Sequence, residues 1–218
     1  MTRQKAETAF GAPRERPILF SAPMVRAILD GRKTQTRRVL KFPRFIVNAL
    51  DQEELVEALN KAKTKAVVER GPCDGVKNRY SCPYGQPGDR LWVREAWSTH
   101  AIFDPLPPRD ITARSVHYWA DGDAQTGKRR PGMFLPRWAS RITLEVTGVR
   151  VERLRDISEK DAEAEGCPLD RLLARDWYSQ LWESINGPGS WDANPWVWVV
   201  AFKRIEAPQG IPGAPHGG

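Results

Sequence analysis

The run Trp196-Val197-Trp198-Val199-Val200-Ala201-Phe202 constrains the fold of this 218-residue chain more than any other segment. It is apolar at every position and rich in aromatic and β-branched side chains, which suits an extended strand. Successive side chains of a strand point to opposite faces, so this strand has no polar side to turn to water. The run therefore predicts a central strand, covered on both faces by other elements. Pro195 precedes it, where a missing backbone donor is tolerated at a strand end.

The neighbours of such a strand are legible as shorter patterns. Ile18 to Phe20 reads as a brief strand, followed by Ser21 as a helix cap and by Met24, Val25, Ile28 and Leu29 on one helical face, with Gly31 as the stop. Asp51 to Lys65 predicts a surface helix, with Asp51 and Glu54 in capping-box positions. Pro87-Gly88-Asp89 is a turn into a strand over Arg90 to Ala96, where Leu91 and Val93 alternate with Trp92 and Arg94. Arg141 to Val151 alternates in the same way. Ser158-Glu159-Lys160-Asp161 opens a short helix that Gly166 closes, and a longer helix is predicted from Leu169 to Ile185, with Leu172, Leu173, Trp177, Leu181 and Ile185 as its inward stripe.

These patterns amount to an α+β domain over residues 17–206, in which several short strands could close a barrel with helices packed outside. Residues 1–16 and 207–218 carry charge, Pro and Gly without apolar period and read as loose tails. Residues 42–81 and 98–136 interrupt the pattern as two insertions, the second with His117-Tyr118-Trp119 as a short strand inside a long loop. The first residues lack the apolar core of a secretory signal, and no apolar run reaches the roughly 20 residues of a membrane helix, so a cytoplasmic protein without a membrane partner is expected.

Composition narrows the chemistry. The three cysteines, Cys73, Cys82 and Cys167, are odd in number and irregularly spaced, which excludes a disulfide framework and offers no finger-like metal set. The three histidines are scattered, so a histidine-based triad has little support. Neither metal nor cofactor is expected. A net charge of +7 and a pI near 9.5 favour polyanionic partners, and nine tryptophans supply surfaces on which a base can stack.

Two short elements stand out chemically. Gly31-Arg32-Lys33-Thr34-Gln35-Thr36-Arg37-Arg38 sets four cations and two hydroxyls at a helix end and strand entry, without the spacing of a phosphate loop. Glu165 closes its helix at the negative end of the dipole, where a cation is preferred. Such local violations concentrate at functional sites.

The order of helix, Gly-Arg-Lys-Thr-x-Thr-x-Arg strand, Pro-Gly-Asp turn, alternating strand, Ser-x-x-Asp helix ending in Glu-Gly, and apolar final strand resembles the ASCH domain of the PUA-like superfamily. The resemblance spans Ile18 to Ile205 outside the two insertions. Cys82 to Gly85, Pro136 to Arg141 and Trp191 to Val199 are similar to motifs of a phage and prophage group. The resemblance implies a PUA-like β-barrel with flanking helices. ASCH proteins include an amidohydrolase that removes the acetyl group of N4-acetylcytidine, and its lysine, threonine and glutamate fall on Lys33, Thr36 and Glu165, with Arg38 on a further motif arginine.

Chemically, a threonine hydroxyl becomes nucleophilic when a desolvated lysine takes its proton, and Glu165 can hold that lysine, protonate the leaving amine or activate water. In a variant without an acyl-enzyme, Glu165 activates water while Lys33 and Thr36 stabilise the oxyanion. Trp92, Arg94, Tyr118 and Trp138 are candidates for holding a planar base, together with Arg38. Arg32, Arg37, Lys128, Arg129 and Arg130 are expected to form a face for phosphate if the substrate is RNA or DNA. The leading expectation is an amidohydrolase acting on an N-acylated nucleoside or base. The alternatives are a non-catalytic reader of modified or structured RNA or DNA, and an interaction protein that uses the fold as scaffold.

Overall fold

A computed structural model describes residues 12–42, 49–62, 65–68, 78–112, 115–122, 127–168, 170 and 173–205. In chain order the elements are β1 (Glu15–Leu19), α1 (Ala22–Leu29), β2 (Gln35–Val39), α2 (Ala49–Lys61), β3 (Lys65–Val68), β4 (Asn78–Ser81), β5 (Arg90–Arg94), β6 (Trp97–Ser98), β7 (His117–Tyr118), β8 (Thr143–Arg153), α3 (Glu159–Ala164), α4 (Ala174–Asn186) and β9 (Trp196–Ile205). Five strands form one sheet in the order β1-β5-β8-β9-β2; β3 pairs with β4 and β6 with β7 as separate ribbons. Among the described residues only the β1–β5 pair is parallel.

The apolar strand β9 lies inside the sheet between β8 and β2, as its composition requires. Its alternate residues feed two cores. Trp198, Val200 and Phe202 join Ile18, Val25, Leu91 and Val93 on one side. Val197 and Val199 meet Leu154, Tyr178 and Trp182 on the other, under α3 and α4. The eleven residues of β8 hold register with β9 through an irregularity between Val146 and Gly148.

The α+β class stands, but the expected closed barrel is corrected to an open five-stranded sheet. β1 is laddered only to β5 and β2 only to β9 among the described residues. A side chain spans the two edges: Arg38 of β2 donates to the Leu19 carbonyl of β1 at 2.8 Å and lies 5.4 Å from the Phe20 ring. Alternation within each strand reports which face is buried, but it carries no information about whether two edge strands meet.

Several element expectations are also revised. β1 begins at Glu15, inside the tail expected to end at residue 16. α2 starts at Ala49, so Asp51 stands in its first turn rather than at its cap. α4 starts at Ala174 and buries Ala174, Tyr178 and Trp182, a stripe at i, i+4 and i+8. Leu173 and Ile185 are instead exposed, and Leu172 lies outside the described residues. A Tyr and a Trp bury more area than two leucines, so they decided which face turned inward. The second insertion is not a bare loop: Trp97, Ile111, Leu135 and Ala139 give it a small core of its own. Cys73 lies outside the described residues. No described helix is long and apolar enough to cross a membrane.

Candidate active site

Local sequence brings α3 against the entry of β2. The Ser158 hydroxyl accepts from the Asp161 N–H at 3.1 Å and caps a helix of six residues. Gly166 then turns the chain at φ +97°, and a Cβ there would fall 2.9 Å from Ala27 Cβ and 3.1 Å from Lys33 Cβ. Glycine is needed both for the backbone conformation and for the close approach. The backbone completes the joint: Lys33 N–H donates to the Ala27 carbonyl at 2.9 Å, Thr34 N–H to the Ala164 carbonyl at 2.8 Å, and Lys33 pairs with Glu165 in an isolated antiparallel bridge.

This joint places the Lys33 amine 2.7 Å from Glu165 Oε2 and 2.8 Å from the Glu165 carbonyl oxygen. Arg37 Nη1 donates to Glu165 Oε1 at 3.1 Å. The carboxylate that ends α3 therefore meets two cations, which offsets its unfavourable place at the negative end of the helix. Lys33 and Arg37 side chains are fully buried and that of Glu165 is 2% exposed. Burial pushes the Lys33 amine below its ordinary range; Glu165 pulls it back up, while Arg38 and Arg37 push it further down.

A wider network surrounds the pair. Arg37 also reaches Glu152, and Asp161 at 3.3 Å. Arg150 bonds Glu152 at 2.8 Å and Asp161 at 2.9 Å, and Gln35 donates to the Asp161 carboxylate at 3.1 Å. Three cations face three carboxylates, so each charge taken from water has a partner. Glu152, Asp161, Arg150, Gln35 and Tyr178, whose ring lies 5.9 Å from Arg37, escaped the sequence reading. The signal for two of them was present, since Arg150 and Glu152 share one face of β8.

Register in β2 separates the motif residues. Gln35 and Arg37 lie opposite Ala201 and Val199, towards α3 and α4, whereas Thr36 and Arg38 lie opposite Val200 and Trp198. Thr36 is 1% exposed and borders a cavity of about 50 Å³ together with Arg38, Glu165, Met24, Tyr178 and Ile185. Met24, Arg38 and Ile185 also border a cleft of about 710 Å³, whose other walls include Phe20, Tyr84 and Arg129. The Lys33 amine lies 5.7 Å from the Phe20 ring.

The residues expected to hold a base do not converge there, apart from Arg38. Trp92 is 8% exposed, with Arg94 4.6 Å and Arg137 5.9 Å from its ring, so guanidinium groups already lie against it. Tyr118 carries Arg141 at 4.0 Å from its ring and donates to the Ala139 carbonyl at 2.7 Å. Tyr118 and the exposed Trp138 border a separate pocket with Arg109.

The expected phosphate face also divides. Arg37 is buried in the carboxylate network, and Arg130 is 5% exposed with its guanidinium donating to the Phe103 carbonyl. Their charge is used inside the protein. Arg32 is bound to Asp30 at 2.8 Å and to the Gly166 carbonyl at 3.1 Å, while Lys128 and Arg129 are exposed. Cys82 and Cys167 are both buried, and no group of metal-ligating side chains occurs among the described residues.

Fold and site together define an α+β protein with a buried lysine–glutamate pair where a short helix abuts an edge strand. No family model matches the chain. No curated protein matches it either. Among solved structures it is similar to the crystal structure of protein EF3133 from Enterococcus faecalis, of the family DUF984, with 12% identity and a TM-score of 0.35. That match covers 83% of this chain and 66% of the neighbour, just under two thirds of its length. A likeness of that size says nothing about the chemistry of either protein.

Proposed function

We propose that the protein is an amidohydrolase that removes an acyl group from an N-acylated nucleoside or nucleobase, with Lys33, Thr36 and Glu165 as its catalytic residues. The reading joins the ASCH resemblance, and the PUA-like ancestry it implies, to one observation. That observation is the fully buried Lys33 amine held 2.7 Å from Glu165, with Thr36 and Glu165 bordering one cavity. An amine lowered by burial has a neutral form that can accept a proton, which a solvated lysine at neutral pH rarely offers.

In this mechanism the neutral Lys33 amine takes the Thr36 proton as the Thr36 oxygen attacks the amide carbonyl carbon. The C–N bond then breaks, and the Lys33 ammonium returns the proton to the departing amine. Water attacks the resulting ester, releasing the carboxylic acid and restoring Thr36. Glu165 has Oε1 engaged by Arg37 and Oε2 by Lys33, which favours the role of holding the amine over that of activating water. Arg38, on the Thr36 face of β2, supplies positive charge for the developing oxyanion.

The test is incubation with a panel of acylated nucleosides and bases, followed by chromatography of the products. Thr36→Ala, Lys33→Met and Glu165→Gln are each expected to lower turnover by about 10²–10⁴-fold. Combining them should add little further loss, because the three act as one unit. Absence of cleavage across the panel would overturn the reading. A non-catalytic reader of RNA or DNA is the second reading, favoured by the exposed Lys128 and Arg129 and the overall charge of +7. Nucleic-acid affinity falling steeply with salt, without cleavage, would establish it.

A further inference from the structure

Among the described residues, the cleft beside the lysine–glutamate pair has two cations in its wall, Arg38 and Arg129, and no carboxylate. Its remaining wall is largely apolar and aromatic, with Phe20, Met24, Tyr84 and Pro131 among its residues. Arg38 gives one N–H to the Leu19 carbonyl at 2.8 Å and is otherwise without a charged partner among the described residues. Arg129 lies 5.4 Å from the Trp119 ring and likewise meets no carboxylate among them. In contrast, Arg37, Arg137 and Arg141 are each paired with an acid.

Arg129 is exposed, yet the backbone that carries it is fixed on both sides. The Lys128 N–H donates to both oxygens of Asp104, at 2.9 and 3.0 Å. Arg130 exchanges backbone hydrogen bonds of 2.8 and 3.1 Å with Trp97, and its guanidinium donates to the Phe103 carbonyl at 2.9 Å. The insertion thus delivers one guanidinium to the cleft, and the motif strand delivers the other.

We propose that this cleft binds a ligand bearing a phosphate monoester, with Arg38 and Arg129 as the phosphate-binding residues and the half-buried Met24–Tyr84 side receiving the planar part. The proposal deepens the hydrolase reading, and rests on it for the rest of the substrate: the acylated compound is a nucleotide rather than a neutral nucleoside. Two guanidinium groups carry two positive charges, and a phosphate monoester carries about −1.5 to −2 at neutral pH, whereas a carboxylate carries one. The planar fork of each arginine also matches the phosphate oxygens, giving short charge-assisted hydrogen bonds.

The experiment measures binding, so it needs no turnover. The full chain is titrated calorimetrically at low salt with the four common ribonucleoside 5′-monophosphates and with the matching nucleosides. At least one monophosphate is expected to bind tenfold or more tightly than its nucleoside. Arg129→Gln, an exposed change whose folding is checked by a thermal melt, is expected to remove most of that preference while leaving nucleoside affinity unaltered. The proposal is overturned if no monophosphate outbinds its nucleoside, if the preference survives Arg129→Gln, or if a dinucleoside monophosphate, which has only a diester, binds as tightly as the monoester. The two readings fail separately. A phosphate preference lost in the variant, with no acylated compound cleaved, upholds the phosphate site and sinks the hydrolase. Equal binding and equal cleavage of acylated nucleosides and nucleotides does the reverse.

Discussion

At the scale of single residues, the site is governed by how Lys33 and Glu165 share charge with Arg37. Arg37 is fully buried, binds the Glu165 oxygen that Lys33 does not use, and extends to Glu152 and Asp161. Among the described residues, the groups facing the pair are Arg150 and Glu152 on β8 and Asp161 on α3, joined in the ion-pair network, Arg38 on β2, which acts on Lys33 only through space, and the Tyr178 ring of α4 on the Arg37 side. Lys33 acts as a base only when neutral, so kcat/KM should rise with pH through its pKa, which burial sets below the ordinary amine range. Arg37→Met removes a nearby positive charge, so it is expected to move that limb to higher pH. Arg37→Lys retains the charge, loses the planar fork, and should lower turnover about tenfold with the limb in place. The pH dependence of kcat/KM for both variants checks this. Asp161 gives a second test, in stability. Burial pushes its carboxyl up, but Arg150, Arg37 and the hydrogen bond from Gln35 outweigh that and hold it below the usual carboxylate range. Its contribution is therefore complete above the unfolded value of about 3.9 and is lost as pH falls through the lower folded value. Urea midpoints measured against pH should fall in acid for the wild type and less steeply for Asp161→Asn.

Among the elements, α4 shows how a helix chooses its buried face. Ala174, Tyr178 and Trp182 turn inward, and Tyr178 and Trp182 lie 6.2 Å apart as a tilted aromatic pair over Val197 and Val199. Leucines at neighbouring positions were available, but the aromatic side chains remove more surface from water. Trp182→Ala is expected to cost about 3–5 kcal/mol, while Leu173→Ala, at a 58% exposed position, should fall within about 0.5 kcal/mol. Chemical denaturation of the two variants distinguishes this face from the one read from leucine spacing. The same packing holds Tyr178 near Arg37, so the helix also forms one wall of the candidate site.

Across the whole molecule, stability is expected to be uneven. β8 and β9 pair at ten register positions through the centre of the sheet, with apolar layers on both sides. Residues 101–112 rest instead on a small cluster around Trp97, Ile111, Leu135 and Ala139, organised by single 3-10 turns. Local opening free energies follow such differences in buried apolar contact. Amides within 144–153 should therefore exchange with solvent more slowly than those of 101–112, by at least tenfold, as measured by native-state hydrogen exchange. Equal rates would mean that the insertion and the sheet unfold as one unit. The cleft draws walls from both regions, Phe20 and Arg38 from the sheet side and Arg129 from the insertion, so ligand binding should protect the insertion amides.

The patterns that rest on period and composition were legible in the sequence. β9 had to be central because it has no polar face, and Ser158 and Gly166 bracket α3 by chemistry carried in their own side chains or lack of one, whereas β5, which reads as half-buried, has Leu91, Trp92 and Val93 all buried inside the sheet. Lys33, Thr36 and Glu165 were singled out from motif residues that lie 132 positions apart at their extremes, and the chain does bring Lys33 to Glu165. What depended on contacts between distant segments was not legible. Closure of the sheet turned on whether β1 met β2, and a single Arg38 side chain spans that gap instead of a ladder. Arg37 and Arg38 look alike in sequence, yet the two-residue period of β2 sends one into a buried carboxylate network and the other to the cleft. Trp92 and Trp138 were equal candidates for stacking until packing covered the first and exposed the second. Local sequence determines what conformation a segment prefers and which faces are apolar. Only the tertiary structure decided which charges found partners, because burial and pairing are properties of the space between segments.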